Sequence, residues 1–259
     1  MPLTWELTAE IKDWLTPEKL RALTEGWRTQ GTGLSDEVID DLIRVLIRDD
    51  LHYEDILGHL ETQFRRQQSR PHEYHSLYSW LVELVYHLLY YRQVNNDALF
   101  ERQLPYYKGL ATVAERNRPL WVFTLNHDLL IEAIAAQYSI PLHSGFSSQT
   151  VMLPCRDRTG RQTGELKAEI LTGRELETAA MYFPNPFQEG IYLLKVHGAL
   201  DVFTCNNGED LLKLLPAGPG PRGLFKALRA ANEQLIYLLP GMPGGRAKAV
   251  NEIAYADAS

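Results

Sequence analysis

The chain has 259 residues, 45% of them hydrophobic and 23% charged. That apolar content excludes a disordered chain and supplies a core for one large domain or two small ones. A net charge of −7 argues against broad binding to nucleic-acid phosphates, and two cysteines, Cys155 and Cys205, exclude both a disulfide framework and a four-cysteine zinc ribbon.

The cysteines read as buried thiols in a reducing compartment. No basic-then-apolar leader opens the chain, and no Asn-x-Ser/Thr acceptor occurs. The most apolar helical stretch, residues 77–91, is interrupted by Glu83 and His87 and is too short to span a bilayer. The chain therefore reads as cytoplasmic, with neither membrane nor direct nucleic-acid partners.

Up to about Arg118 the pattern is helical. Thr16 followed by Pro17 and Glu18 is a helix start, a capping hydroxyl and then proline at the first helical position. Ser35, Asp36 and Glu37 open the next helix, where Val38, Ile39, Leu42, Ile43, Leu46 and Ile47 keep helical spacing. Residues 53–68, 74–91 and 97–116 continue the pattern. Leu77, Leu81, Leu84, Val85, Leu88 and Leu89 exceed one narrow core stripe, which suggests an apolar face for homo-oligomer formation.

After Pro119 the period changes. Leu120 to Leu125 is a short apolar run without alternation, as expected of a strand covered on both faces of a parallel sheet. Polar Asn126-His127-Asp128 follows, then an apolar helix to about Tyr138. Ile191 to Val196 repeats the design and ends at His197-Gly198. Between them lies an expected hairpin, with residues 165–170 alternating and Thr159-Gly160 as the turn. A third apolar run, 235–239, ends at Pro240-Gly241. The fold class is thus α/β, a helical module before a sheet. In open parallel sheets ligands bind beyond the C-terminal strand ends, where Asn126, Asp128 and His197 converge if both strands share one sheet.

Taken singly, these residues have ordinary explanations. Asn or Asp at a strand-to-helix turn caps the helix, and a histidine before glycine is a common loop residue. Together they carry a resemblance. Thr124-Leu-Asn-His-Asp128, followed by Leu130 and Glu132, resembles the Thr-x-Asn-Tyr-Asp…Glu motif of the prokaryotic sirtuin-like domain. Lys195-Val-His-Gly-Ala-Leu-Asp201 resembles that family's Lys-Leu-His-Gly-Ser-Leu-Asp. The opening Met1-Pro2-Leu3-Thr4-Trp5-Glu6-Leu7-Thr8 is similar to the segment after its Gly-Ala-Gly-x-Ser phosphate loop, and Tyr53-Glu-Asp-Ile-Leu57 to part of its helical insertion.

The resemblance implies an incomplete Rossmann-like parallel sheet with a large helical insertion. It implies one sirtuin-like domain over 1–259, with the insertion at 16–118 and the sheet-forming catalytic part at 119–259. The implied substrate is NAD, cleaved at the nicotinamide–ribose bond. Members with a helical insertion and no zinc ribbon resemble NAD-hydrolysing antiphage effectors of bacteria. With no Cys-x-x-Cys pair the hydrolase branch is favoured and no metal is expected. By the same resemblance Asn126 positions water and ribose, and His197 is the general base. Asp128 sits at the nicotinamide end, and Thr124 and Pro2 complete the dinucleotide contacts. Neither the glycine loop nor the C-terminal Gly-x-Ser strand is found. The chain reads as the catalytic middle of such a domain, with reduced NAD affinity and a further sensor or effector domain expected beyond its ends. Two rivals stand: a non-catalytic nucleotide-binding or interaction module, and an NAD-dependent protein deacylase.

Three features read as decoys. Gly218-Pro-Gly-Pro-Arg-Gly223 matches the dinucleotide glycine spacing, but its prolines lack N–H donors and no clear strand feeds it, so a surface loop is expected. His72 and His75 read as a solvated helix start. Tyr86, Tyr90 and Tyr91 read as packing residues.

Overall fold

The computed structural model describes residues 4–29, 31, 33–66, 69–146, 149–156, 161–178, 181–183, 189–196, 198–205, 209–233, 235–236 and 248–249. The fold is α/β, with a parallel three-stranded sheet, an antiparallel sheet and many helices, compatible with a Rossmann-like fold carrying a helical insertion. The chain divides into two compact units, Met1–Leu88 and Leu89–Ser259.

The first unit is helical: α1 (Thr4–Trp14), α2 (Pro17–Thr29), α3 (Asp36–Leu46), α4 (Tyr53–Arg65) and most of α5 (Pro71–Asn95). The helices begin where local chemistry dictates. Lys19 N donates to Thr16 Oγ1 (3.4 Å) at the start of α2. His52 caps α4 reciprocally: Asp55 N donates to its Nδ1 (3.3 Å) and its own N donates to Asp55 Oδ2 (3.0 Å). Val38, Ile39, Leu42, Val45 and Leu46 of α3 are buried. Of the α5 residues that suggested self-association, Leu77, Leu81, Val85, Leu88 and Leu89 are buried within the chain. Leu84, the sixth, is half-buried. Tyr86 and Tyr90 are buried and Tyr91 is exposed; His72 and His75 are exposed near the start of α5.

Asp41 of α3 ties three helices. Its carboxylate meets His59 Nε2 of α4 (2.8 Å), accepts from Tyr74 Oη of α5 (3.0 Å) and is bonded by Arg44. Burial works against its charge, but bonds from His59, Tyr74 and Arg44 outweigh burial and hold it below its ordinary pKa. Burial and then the Asp41 hydrogen bond push the Tyr74 phenol up to about 12. Asp41→Ala is expected to lower the stability of the helical unit by about 2–3 kcal/mol, because Tyr74 loses a charged acceptor. Urea unfolding followed by circular dichroism measures it.

The second unit contains α6 (Asp97–Gln103), a 3₁₀ turn (Leu104–Tyr107) and α7 (Lys108–Arg116). The expected helix over 97–116 is thus interrupted at Pro105. β1 (Leu120–Thr124), α8 (Leu130–Tyr138) and β2 (Leu142–His143) follow. β5 (Ile191–Lys195) runs parallel between β1 and β2, with Thr124 opposite Lys195. Leu120, Val122, Ile191 and Leu193 pack with Ala114 of α7 and Ala135 of α8.

β1 differs from expectation. Its burial alternates: Leu120 and Val122 are half-buried, whereas Trp121 and Phe123 are 43% and 67% exposed. The sequence run lacked alternation because both faces are apolar, and aromatic rings occupy the open one. Trp121 stacks on Phe123 (6.2 Å) and touches Phe183 (5.1 Å) and Tyr192 (4.9 Å). β5, in the middle, has Ile191, Tyr192 and Leu193 buried, as a two-sided strand should.

The second sheet is antiparallel. It contains β3 (Thr150–Arg156), β4 (Gln162–Leu171), β6 (Val202–Cys205), β7 (Asp210–Leu214), β8 (Leu235–Ile236) and β9 (Lys248–Ala249), in the order β8-β3-β4-β7-β6-β9. The expected hairpin is β3–β4; its turn residues Thr159 and Gly160 lie outside the described residues. The run at 235–239 supplies β8, paired antiparallel with β3, and residues 237–241 also lie outside the described residues. A short helix, α9 (Gly173–Glu177), follows β4.

The proline-glycine segment is not the surface loop the sequence suggested. β7 precedes it, and α10 (Gly220–Glu233) begins within it, with Pro221 buried in the first turn. Proline is tolerated there because first-turn N–H groups have no helical acceptor. Gly223 is required by close approach: a Cβ would run into the Gly218 carbonyl, while Ala217 N donates to Gly223 O (2.9 Å). Gly223→Ala is expected to cost about 1–3 kcal/mol through overpacking, read as a fall in the thermal midpoint.

Candidate functional site

The chain leaves β1 through two side-chain-stapled turns. Asn126 N donates to Thr124 Oγ1 (3.0 Å), and Leu130 N donates to Asp128 Oδ1 (2.8 Å) at the start of α8. Asp128 is buried and, instead of capping the helix, closes a turn onto the first amide of α8, whose N-cap residue Leu129 has no side-chain cap bond. Leu129 N donates to Gln93 Oε1 (3.3 Å). Asn126 is exposed, beside exposed Leu125.

The segment after β5 is joined to this turn. Val196 N donates to Thr124 O (3.0 Å), and Leu200 N donates to His127 O (3.1 Å). Thr124 and Lys195 are register partners at the ends of adjacent parallel strands. The two motif segments therefore meet at the C-terminal edge of the sheet. His197, the expected base, and Pro2 lie outside the described residues.

Beneath the turn lie four charged side chains, each 2–9% exposed: Glu132 of α8, Lys195 of β5, Asp201 and Lys213 of β7. Lys195 Nζ is 2.8 Å from Glu132 Oε1 and donates to the Asp128 carbonyl. Lys213 Nζ donates to Asp201 Oδ2 (2.8 Å) and lies 3.8 Å from Glu132 Oε1. Burial opposes ionisation of Asp201, but Lys213 and Lys195 outweigh it and hold its carboxyl low. Burial likewise opposes charge on Lys213, yet Asp201 and Glu132 hold its ammonium above the usual range. Among the described residues, neither Glu132 Oε1 nor Oε2 accepts a hydrogen bond, nor does Asp201 Oδ1, so Lys195 and Glu132 form an ion pair without one.

Glu132, Lys195 and Asp201 are letters of the two motifs that carry no role in the sequence reading, and Lys213 lies outside both. The available signal was a lone charge in an apolar run, as in Leu211-Leu-Lys-Leu-Leu215. Such a charge needs a buried partner.

A cavity of about 150 Å³ adjoins the network, lined by Leu194, Lys195, Val196, Gly198, Ala199 and Lys213 among others. Cys155 and Cys205 are buried free thiols. Burial, with Asp210 secondary, pushes Cys205 up to about 11, so it is no thiolate nucleophile at neutral pH. Among the described residues no helix is long and apolar enough to cross a membrane, and no group of three or more His, Cys, Asp or Glu side chains is arranged to hold a metal ion. No protein-family model matches the chain, and no curated protein matches it significantly.

Proposed function

We propose that the chain carries the catalytic part of a sirtuin-like NAD⁺ hydrolase, acting in bacterial antiphage defence as its motif resemblance implies. One observation carries this reading: segments 124–128 and 195–200 are hydrogen-bonded together beyond the C-terminal ends of adjacent parallel strands. That is where open α/β sheets bind nucleotides. The cavity beside the junction is benzene-sized, so it suits one ring and leaves the remaining dinucleotide outside.

In the proposed reaction the bond between ribose C1′ and the pyridinium nitrogen breaks, and its electron pair goes to nicotinamide. Nicotinamide leaves neutral and needs little acid assistance. Exposed Asn126 holds the attacking water through its amide oxygen. The new C1′–O bond forms on that water, and His197 accepts its proton. Asp128, buried and bonded to the Leu130 amide, fixes the turn that presents Asn126 and contributes negative potential toward the developing oxocarbenium charge. The products are nicotinamide, ADP-ribose and a proton.

The test is chromatography of NAD⁺ incubated with the protein expressed from its full reading frame. Nicotinamide and ADP-ribose should accumulate without any acylated peptide. A strict requirement for an acyl-lysine peptide transfers the chain to the deacylase class. Binding of NAD⁺ by calorimetry without turnover makes it a nucleotide-binding module.

A further inference from the structure

We propose that Lys195 is a positioning residue for the strand-end site: paired with Glu132 and backed by the Lys213–Asp201 pair, it clamps the turn that carries Asn126. The activity part of this proposal rests on the NAD⁺-hydrolase reading; the clamp itself does not. Lys195 is the last residue of β5, and its ammonium reaches the Asp128 carbonyl in the turn after β1. The same ammonium meets Glu132, in the first turn of α8. One side chain thus joins a strand end, a turn and a helix start.

Other fasteners of the turn include individual hydrogen bonds at Thr124 Oγ1, Asp128 Oδ1, Gln93 Oε1 and the Val196 and Leu200 amides. They preserve the turn when Lys195 is lost, but leave it free to shift. A buried ion pair is poorly explained by stability alone, since apolar replacement of both partners is often neutral or stabilising. It does fix geometry, because each charge has one low-energy place to be. Displacement of a reacting group by ~1 Å is enough to lower a rate ~100-fold.

Four proteins make the test: wild type, Lys195→Met, Lys195→Met/Glu132→Leu and Lys195→Arg. Thermal denaturation, amide hydrogen exchange and NAD⁺ kinetics are read on each. Lys195→Met leaves Glu132 to the more distant Lys213 ammonium at 3.8 Å and should melt lower; if it fails to fold, the double variant and Lys195→Arg decide. The double variant should recover the thermal midpoint, yet keep kcat at least ~10-fold down with KM changed less than ~3-fold. Its Leu130 and Leu200 amides should exchange at least ~10-fold faster, while the amides of the β3–β4 ladder are unchanged. Lys195→Arg, which keeps the charge, should retain most of that amide protection.

Recovery of stability, amide protection and kcat together in the double variant overturns the positioning role, leaving an ordinary structural pair. Faster exchange spread evenly over both sheets overturns it as well. If wild type leaves NAD⁺ intact, the hydrolase reading fails alone. The amide measurement still decides the clamp: selective loss at Leu130 and Leu200 supports it, and unchanged protection overturns it.

Discussion

Asn126→Ala is expected to remove NAD⁺ hydrolysis almost completely while leaving the protein folded. The side chain is exposed, and it is the Asn126 backbone N–H, not the amide group, that bonds Thr124 Oγ1. Alanine keeps that N–H. A surface change of this kind stays within about 0.5 kcal/mol in stability. The loss in rate should be far larger, because water held by a fixed amide beside the ribose is lost from the transition state. His197→Ala is expected to lower kcat by ~100-fold or more, the usual contribution of a positioned base. Both variants are compared with wild type by nicotinamide release, with far-UV circular dichroism as the folding control. Full activity in Asn126→Ala removes that residue from the mechanism. Full activity in His197→Ala leaves Asn126 standing and sends the search for the base elsewhere along the 195–201 segment.

Legibility of this fold in the sequence tracks how local its causes are. β1 and β5 were readable because each is a short apolar run ending in polar residues, and their pairing brought the two motif segments together. The start of α2 was readable from Thr16-Pro17, whose chemistry acts within one helical turn. α10 was hidden by its own first turn, where proline and glycine look like loop residues. The apolar Leu224, Phe225, Ala227 and Leu228 that follow have helical spacing and are buried. The β6–β7 hairpin went unread although Asn206-Asn207-Gly208 stands between its strands, a composition suited to tight turns.

The site was legible in parts. Asn126 and Asp128 stand at the turn the motif marked, and Asp128 bonds the first amide of α8 without being its N-cap residue. The charged network beneath was not legible, because its meaning lies in pairing across distance. Glu132 reads as one polar residue in an apolar helix and Lys213 as one in an apolar strand. Only the packing of α8 against the ends of β5 and β7 turns these anomalies into a neutral set of four.

The network also sets the largest expected stability effect. Asp201→Ala leaves the Lys213 ammonium buried without its hydrogen-bonded acceptor, with Glu132 at 3.8 Å and the Glu169 carboxylate still near it. Breaking such a pair from one side costs about 3–5 kcal/mol. In a unit of this size that lowers the thermal midpoint by roughly 6–20 °C. Replacing both partners, Asp201→Leu with Lys213→Met, should recover most of the loss, since no unpaired charge remains from that pair. The pH dependence has a defined sign. Asp201 is held low in the folded chain, so its contribution is present above its unfolded pKa of about 3.9 and disappears as pH falls through the lower folded value. Lys213 is held high, so its contribution is present below about 10.4 and disappears as pH rises through the higher folded value. Stability from this pair should be flat across neutral pH, with one limb in acid and one in strong base. Asp201→Asn should flatten the acid limb while lowering the neutral plateau. Urea unfolding from pH 2 to pH 7, followed by tryptophan fluorescence, measures both. An acid limb of unchanged slope in Asp201→Asn assigns acid sensitivity to other carboxylates, with Asp41 of the helical unit the next to substitute.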